Sequence, residues 1–265
     1  MKGRVLIIAG SDPSGGAGVQ ADIKTVTALG GYAAAAITAL TVQNTKGVSG
    51  FEAVSPEMIR AQIDAVMEDV GADAIKIGMI GSKEAAHAIA DALEAWARHI
   101  PVVIDPVVAA TSGDALAREG VAGVLRERLL PCAALMTPNT DEAAALTGLE
   151  VHDRETMIAA GRALVEAGAG AALVTGGHLP GSRIEDILIA GEEVKVYETD
   201  RIETTSTHGT GCTLASACAV GLAQGLPLAK AAERAVAYVQ AAIRAAPGYG
   251  GGRGPLNHAH TVKGA

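Results

Sequence analysis

Short, largely apolar runs recur along the chain at residues 5–9, 74–77, 102–104, 133–136 and 171–174. Runs of this length without polar alternation are the signature of parallel strands buried on both faces. Between them lie longer stretches, 19–29, 56–70, 83–98 and 154–167, in which apolar positions return at helical spacing. Strand and helix alternate, so right-handed crossovers follow, and the expected fold is α/β: a three-layer α/β/α sandwich on a mostly parallel central sheet. Residues 183–199 depart from this pattern. There 185–189 and 194–197 flank Ala190-Gly191-Glu192-Glu193, which predicts a small antiparallel hairpin at one edge of the sheet. Two Ala-rich helices, 211–224 and 228–245, close the chain. With no internal repeat and no low-complexity linker, residues 1–265 are expected to form a single domain.

Hydrophobic residues supply 49% of the chain and aromatics 2%, so the core must be filled by Ala, Val, Leu and Ile, which lets helices lie close on the sheet. Lys and Arg total 21 against 29 Asp and Glu, a formal charge of −8 that offers no field for a polyanion. Nucleic acid is not an expected partner. The longest apolar stretches, such as 32–40, fall short of the roughly 20 residues that span a bilayer, so no membrane partner is expected. The basic start is followed by too short an apolar run for a secretion signal and reads as a first strand. Cys132, Cys212 and Cys218 cannot all pair and none forms Cys-x-x-Cys, which fits a reducing cytoplasm.

Chemistry concentrates in two glycine-rich turns. The first, Gly10-Ser11-Asp12-Pro13-Ser14-Gly15-Gly16-Ala17-Gly18, follows strand one and opens a helix, whose free N–H groups could face a bound anion. A dinucleotide fingerprint would require an acidic residue closing the second strand, but that strand closes with Thr41-Val42-Gln43-Asn44-Thr45. A merely tight turn is the other reading. The second, Thr207-His208-Gly209-Thr210-Gly211-Cys212-Thr213, precedes the small-residue helix. Gly209 and Gly211 allow successive N–H groups to converge, and the helix dipole adds to them. It is not a Walker A loop, whose pattern occurs nowhere in the chain. Cys212 falls in the first helical turn, where the dipole is expected to favour its thiolate; a hydrolase pairing His208 with Cys212 is a further reading. Asp105 follows one strand, and Asn139 and Glu142 follow another. Beyond strand ends such oxygen ligands suit Mg²⁺, although Asn139 and Glu142 also fit a helix cap and first-turn acid.

Together these segments resemble the hydroxymethylpyrimidine/phosphomethylpyrimidine kinase family of the ribokinase-like superfamily over nearly the whole chain. The resemblance rests on the two glycine turns, Gln20-Ala21-Asp22-Ile23-Lys24, Thr41 to Thr45, Lys76-Ile77-Gly78-Met79, Asp105-Pro106-Val107, Thr137-Pro138-Asn139 and Gly254-Pro255-Leu256-Asn257-His258. It implies ATP and Mg²⁺ as cofactors and phosphorylation of 4-amino-5-hydroxymethyl-2-methylpyrimidine, then of its monophosphate, in thiamine biosynthesis. By the same resemblance Gln43 hydrogen-bonds the aminopyrimidine, while Gly10, Asp22, Met79 and Val107 shape its pocket. Gly209 and Gly211 cradle the phosphoryl group, Cys212 takes the place of the superfamily's aspartate base, Asn139 and Thr175 meet the nucleotide, and Asp105 and Glu142 organise the metal. Superfamily habit implies a homodimer, and residues 109–114 resemble the family's active-site cover. One departure stands out: the lysine that relatives often carry before Gly176-Gly177-His178 is Thr175. Phosphorylation of pyridoxine or pyridoxal, and non-catalytic pyrimidine binding on the same scaffold, are the alternatives.

Overall fold

Alternate residues of the first strand, β1 (Arg4–Ser11), enter two different cores. Leu6 and Ile8 join one, Val5, Ile7 and Ala9 the other, and all five are buried. The same split recurs in β5 (Val102–Ile104) and β7 (Ala172–Thr175), which is why these strands read as continuous apolar runs. The computed structural model describes residues 1–107 and 120–262, so the expected cover at 109–114 lies outside the described residues.

The remaining strands are β2 (Tyr32–Asn44), β3 (Gly47–Ala53), β4 (Ala74–Ile77), β6 (Leu135–Met136), β8 (Arg183–Ala190) and β9 (Glu193–Asp200). They form one sheet in the order β3-β2-β1-β4-β5-β6-β7-β8-β9, with neighbours from β2 to β7 parallel. The fold is a three-layer α/β/α sandwich. One face carries α1 (Gly18–Ala28), α7 (Thr210–Ala223) and α8 (Leu228–Arg244); the other carries α2 (Pro56–Asp69), α3 (Lys83–Trp96), α4 (Val121–Val124), α5 (Thr140–Thr147) and α6 (Arg154–Glu166). Caps set several helix starts: Ser55 and Ser82 each accept a backbone N–H, and Asn139 and Asp153 each form a capping box. α7 is small-residue on every side because it is enclosed between sheet and α8, and at Gly221 a side chain would meet Ala231 of α8 at 2.8 Å. Among the described residues no helix is long and apolar enough to cross a membrane.

The edges correct one expectation. β8 and β9 form the antiparallel hairpin read from sequence, but β3 adds an antiparallel strand at the opposite edge too. Its sequence, Gly-Val-Ser-Gly-Phe-Glu-Ala, carries two glycines and little alternation, so neither periodicity nor propensity marks it. β1 sends its chain one way to β2 and the sheet continues the other way at β4, which makes the β1/β4 boundary a topological switch point. A crevice is expected beyond the carboxyl ends of these strands.

Candidate active site

At the end of β2 the Thr41 hydroxyl lies 2.9 Å from the Ser11 carbonyl oxygen and 3.2 Å from Gln43 Oε1. This ties the Gln43 amide to the exit of β1. Next to it, Met79 and Ala39 form a small apolar cluster with Val48, Phe51 and Val107. Val48 is the register partner of Gln43, so amide and apolar wall share one corner. Gly10 borders it closely: a Cβ there would sit 2.8 Å from Met79 Sδ and push that side chain aside. The structure thus brings Gln43, Gly10, Met79 and Val107 to one corner.

Asp22 lies deeper. Its side chain is fully enclosed and both oxygens bond Lys76 Nζ, at 3.0 and 2.9 Å, while Ser216 Oγ donates to Oδ1 at 2.7 Å. Burial works against the charge of Lys76, but Asp22 outweighs it, helped by Cys212 and Asp105, and the lysine titrates above its ordinary range. The pair forms the floor beneath the cleft rather than part of its open surface. Ser216 stands one helical turn below Cys212 on α7, so this ion pair underlies the thiol.

The two glycine turns meet. Gly209, the N-cap of α7, has φ +80, and a Cβ on it would fall inside the Gly16 carbonyl oxygen. Both facts demand glycine. The N-terminus of α7 has no side-chain cap, so its first N–H groups are available to an anion. In the turn before α1, Asp12 Oδ2 accepts from Gly16 N (3.1 Å), Ala17 N (2.8 Å) and Ser14 Oγ (2.9 Å), so a carboxylate of the chain itself holds the donors of this turn, while the helix that begins at Gly18 has no side-chain cap. Asp12 also binds His208 Nε2 at 2.8 Å, which turns that imidazole away from service as a base to Cys212.

Asp105 is 3% exposed and its Oδ2 has no hydrogen-bond partner. Its oxygens lie 3.6 and 3.7 Å from the position a Cβ on Gly211 would take, so the carboxylate faces the first turn of α7. Burial pushes it up to about 6, against Lys76 and the Cys212 thiol that donates to it. Glu142 is pushed up to about 8 by burial and then by the charge of Asp105, although Asn139 N donates to its Oε2 at 2.9 Å. Asn139 Oδ1 in turn accepts from Glu142 N at 2.9 Å; the helix-cap reading of this pair holds geometrically, and it leaves the carboxyl beside Asp105.

Cys212 requires a correction. Helix position led to a favoured thiolate, yet the thiol is pushed up to about 12. The residue is half-buried, and desolvation of its thiol dominates. Lys76 and the Gly18 N–H pull the other way; Asp105 and Asp22 reinforce the rise. The resting group is therefore S–H.

Thr175 lies at the end of β7, where it bridges Asn139 and its N–H donates to Pro138 O at 2.9 Å. Asp186 accepts from Gly176 N at 3.1 Å. Sequence reasoning missed Arg201, whose guanidinium bonds the carbonyls of Gly177 (3.0 Å), Leu179 and Gly181 (2.6 Å) and so holds the loop in which the lysine is missing. Lys76 was legible only as part of a motif, although a lysine inside a four-residue buried strand demands a buried partner. Among the described residues no cluster of three or more His, Cys, Asp or Glu is arranged to hold a metal ion. The pair Asp105 and Glu142, with its orphaned oxygen, fits a hard cation whose other ligands are water and substrate phosphate.

A mostly parallel sheet whose switch point opens beside an uncapped helix start and buried carboxylates, in a chain lacking a Walker A loop, fits a phosphotransferase of the ribokinase-like class. The model of the phosphomethylpyrimidine kinase family matches residues 12–257, and the chain belongs to that family. It is 49% identical over 258 residues to the hydroxymethylpyrimidine/phosphomethylpyrimidine kinase of Rhizobium meliloti, covering 96% of each chain. Among solved structures it is similar to the phosphomethylpyrimidine kinase of Clostridium difficile 630, with a TM-score of 0.80, 38% identity and coverage of 90% of this chain and 98% of that one. It is also similar to the pyridoxal kinase of Bacillus subtilis in its ADP complex, with a TM-score of 0.91, 33% identity and 98% coverage of both.

Proposed function

We propose that this protein transfers the γ-phosphoryl group of ATP to the hydroxymethyl of 4-amino-5-hydroxymethyl-2-methylpyrimidine and then to the resulting monophosphate. The observation that carries the reading is the adjacency of two half-sites: the Gln43 corner with its apolar wall, and the uncapped start of α7, joined through Gly10, Gly16 and Gly209. An amide that both donates and accepts matches a ring nitrogen beside an exocyclic amine. Met79 and Val107 supply the faces against which a flat ring packs.

Phosphoryl transfer through a loose transition state needs positioning and charge stabilisation more than covalent help. The N–H groups of Gly209, Gly211 and Cys212 bind the phosphoryl oxygens as charge spreads over them. Asn139 and Thr175 meet the nucleotide, and Asp105 and Glu142 hold Mg²⁺, which would neutralise the phosphates. The Cys212 sulfur orients the hydroxymethyl oxygen; as that oxygen bonds phosphorus and the bond to ADP breaks, the hydroxyl proton passes to the sulfur while the thiol's own proton leaves to water. With the monophosphate the attacking oxygen is already an anion, and Cys212 only positions it.

The decisive measurement is pyrimidine-dependent ADP release by the purified protein; ATP turnover with neither pyrimidine would remove the proposal. Pyridoxal is the second reading, supported by the higher TM-score to a pyridoxal kinase. Comparing kcat/KM for the two rings decides between them. We place the enzyme in the cytoplasm, in keeping with its free cysteines, and read it as a homodimer, in keeping with exposed Leu40 and Val42 beside the sheet edge.

A further inference from the structure

Asp12 collects five hydrogen bonds although it is 2% exposed: Ser14 N on Oδ1, and Ser14 Oγ, Gly16 N, Ala17 N and His208 Nε2 on Oδ2. Burial works against its charge, but His208, Ser14 and Ala17 outweigh it and hold the carboxyl below its ordinary range. Four of the five donors belong to the first turn. The fifth comes from a residue 196 positions away. His208 is 5% exposed and immediately precedes Gly209. Its backbone is fixed from a third segment, since His208 N donates to Gly254 O at 3.0 Å and Gly254 N returns a bond to Thr205 O at 3.0 Å. Backbone and side chain of His208 are thus anchored separately, which leaves the Gly209 peptide little freedom to rotate.

We propose that Asp12 and His208 are positioning residues: their bond locks the anion loop at the start of α7 onto the turn that follows β1, and so sets where the phosphoryl group lies relative to the acceptor hydroxyl. The turn before α1 gathers its N–H groups on a carboxylate of the chain, and the same oxygen bonds the neighbouring loop. This arrangement aligns two half-sites that lie far apart in sequence. Neither residue needs to touch a substrate. The inference rests on the reading of Gly209 and Gly211 as the phosphoryl cradle.

The test compares His208→Leu, His208→Asn and His208→Gln with the wild type in steady-state kinetics, alongside thermal unfolding. Because a misplacement near 1 Å costs on the order of 10²-fold, His208→Leu is expected to lower kcat by about that factor while KM for the pyrimidine stays within about twofold. Gln, which carries a donor at the reach of Nε2, is expected to restore most of kcat; Asn, too short, is not. Wild-type kcat in the Leu variant overturns the latch. So does a folded Gln variant as slow as Leu, or a pyrimidine KM that rises in step with the loss of kcat. Loss of cooperative unfolding in the Leu and Asn variants also overturns it, by making the bond a matter of folding alone. A wild type with no pyrimidine-dependent turnover sinks the underlying reading instead, and is distinguishable because it appears before any variant is made.

Discussion

Lys76 and Asp22 form an ion pair with contacts of 2.9 and 3.0 Å in which neither side chain has any exposed surface. Removing one partner leaves an uncompensated charge inside the sheet–helix layer, so Lys76→Met is expected to destabilise the protein by about 3–5 kcal/mol. Replacing both partners with apolar residues should recover part of that loss. Urea unfolding of the two single variants and the double variant measures this. A single variant as stable as wild type would mean that the pair is not buried as described.

Cys212 carries a thiol pushed up to about 12, so it should react slowly with iodoacetamide at pH 8 compared with an exposed cysteine. Cys212→Ala should reduce phosphorylation of the alcohol by about 10²-fold, the ordinary scale of positioned proton transfer. The monophosphate, which has no such proton to lose, should suffer much less. Measuring kcat for both acceptors checks this, and equal losses would refute the proton role.

What the chain discloses before folding follows from what local pattern encodes. β1, β5 and β7 are legible because strands covered on both faces leave continuous apolar runs, and α2, α3 and α6 because their buried residues return at helical spacing. β3 is not, because an edge strand with two glycines has no core-facing stripe of its own. In the candidate site, the Gly209 loop could be singled out from glycine spacing, whereas Gln43 is singled out by the family resemblance. The occupancy of the first turn could not: Gly10 to Gly18 reads the same whether its N–H groups hold a ligand or Asp12, and only the fold brings His208 to that carboxylate. The thiol of Cys212 was misjudged for a related reason. A helix dipole is a local property, whereas burial beside Asp105 and Asp22 is set by three separate segments.

The two glycines of the anion loop should separate folding from chemistry. At Gly209 a side chain meets the Gly16 carbonyl and a positive φ, so Gly209→Ala should destabilise by on the order of 1–3 kcal/mol and abolish turnover. At Gly211 the nearest atoms to a Cβ are the Asp105 oxygens at 3.6 and 3.7 Å, and φ is not positive. Gly211→Ala should therefore fold with near wild-type stability yet lose activity, because its methyl enters the space between Asp105 and the helix start. Thermal unfolding and kcat of the two variants check the contrast. Full activity in Gly211→Ala would show that the phosphoryl group does not occupy that space.

Acid stability should depend on His258. The Thr213 hydroxyl donates to Gly209 O at 2.7 Å, so the His258 Nε2–H, 3.0 Å away, donates to that hydroxyl oxygen and ties the C-terminal segment to the anion loop. Burial lowers His258 to about 4, and the positive charges of Lys24 and His260 add to the effect. Its folded value is thus below the ordinary value near 6.5, and the unfolded chain binds the proton first. The contribution is fully present above pH 6.5 and is lost as pH falls toward 4. Between pH 7.5 and pH 5 this amounts to about 2 kcal/mol. His258→Gln keeps a donor for Thr213 but cannot titrate, so its stability relative to wild type should improve by about that amount across the same interval. Urea unfolding of both proteins at the two pH values gives the difference; a constant gap would mean that His258 is as easily protonated folded as unfolded.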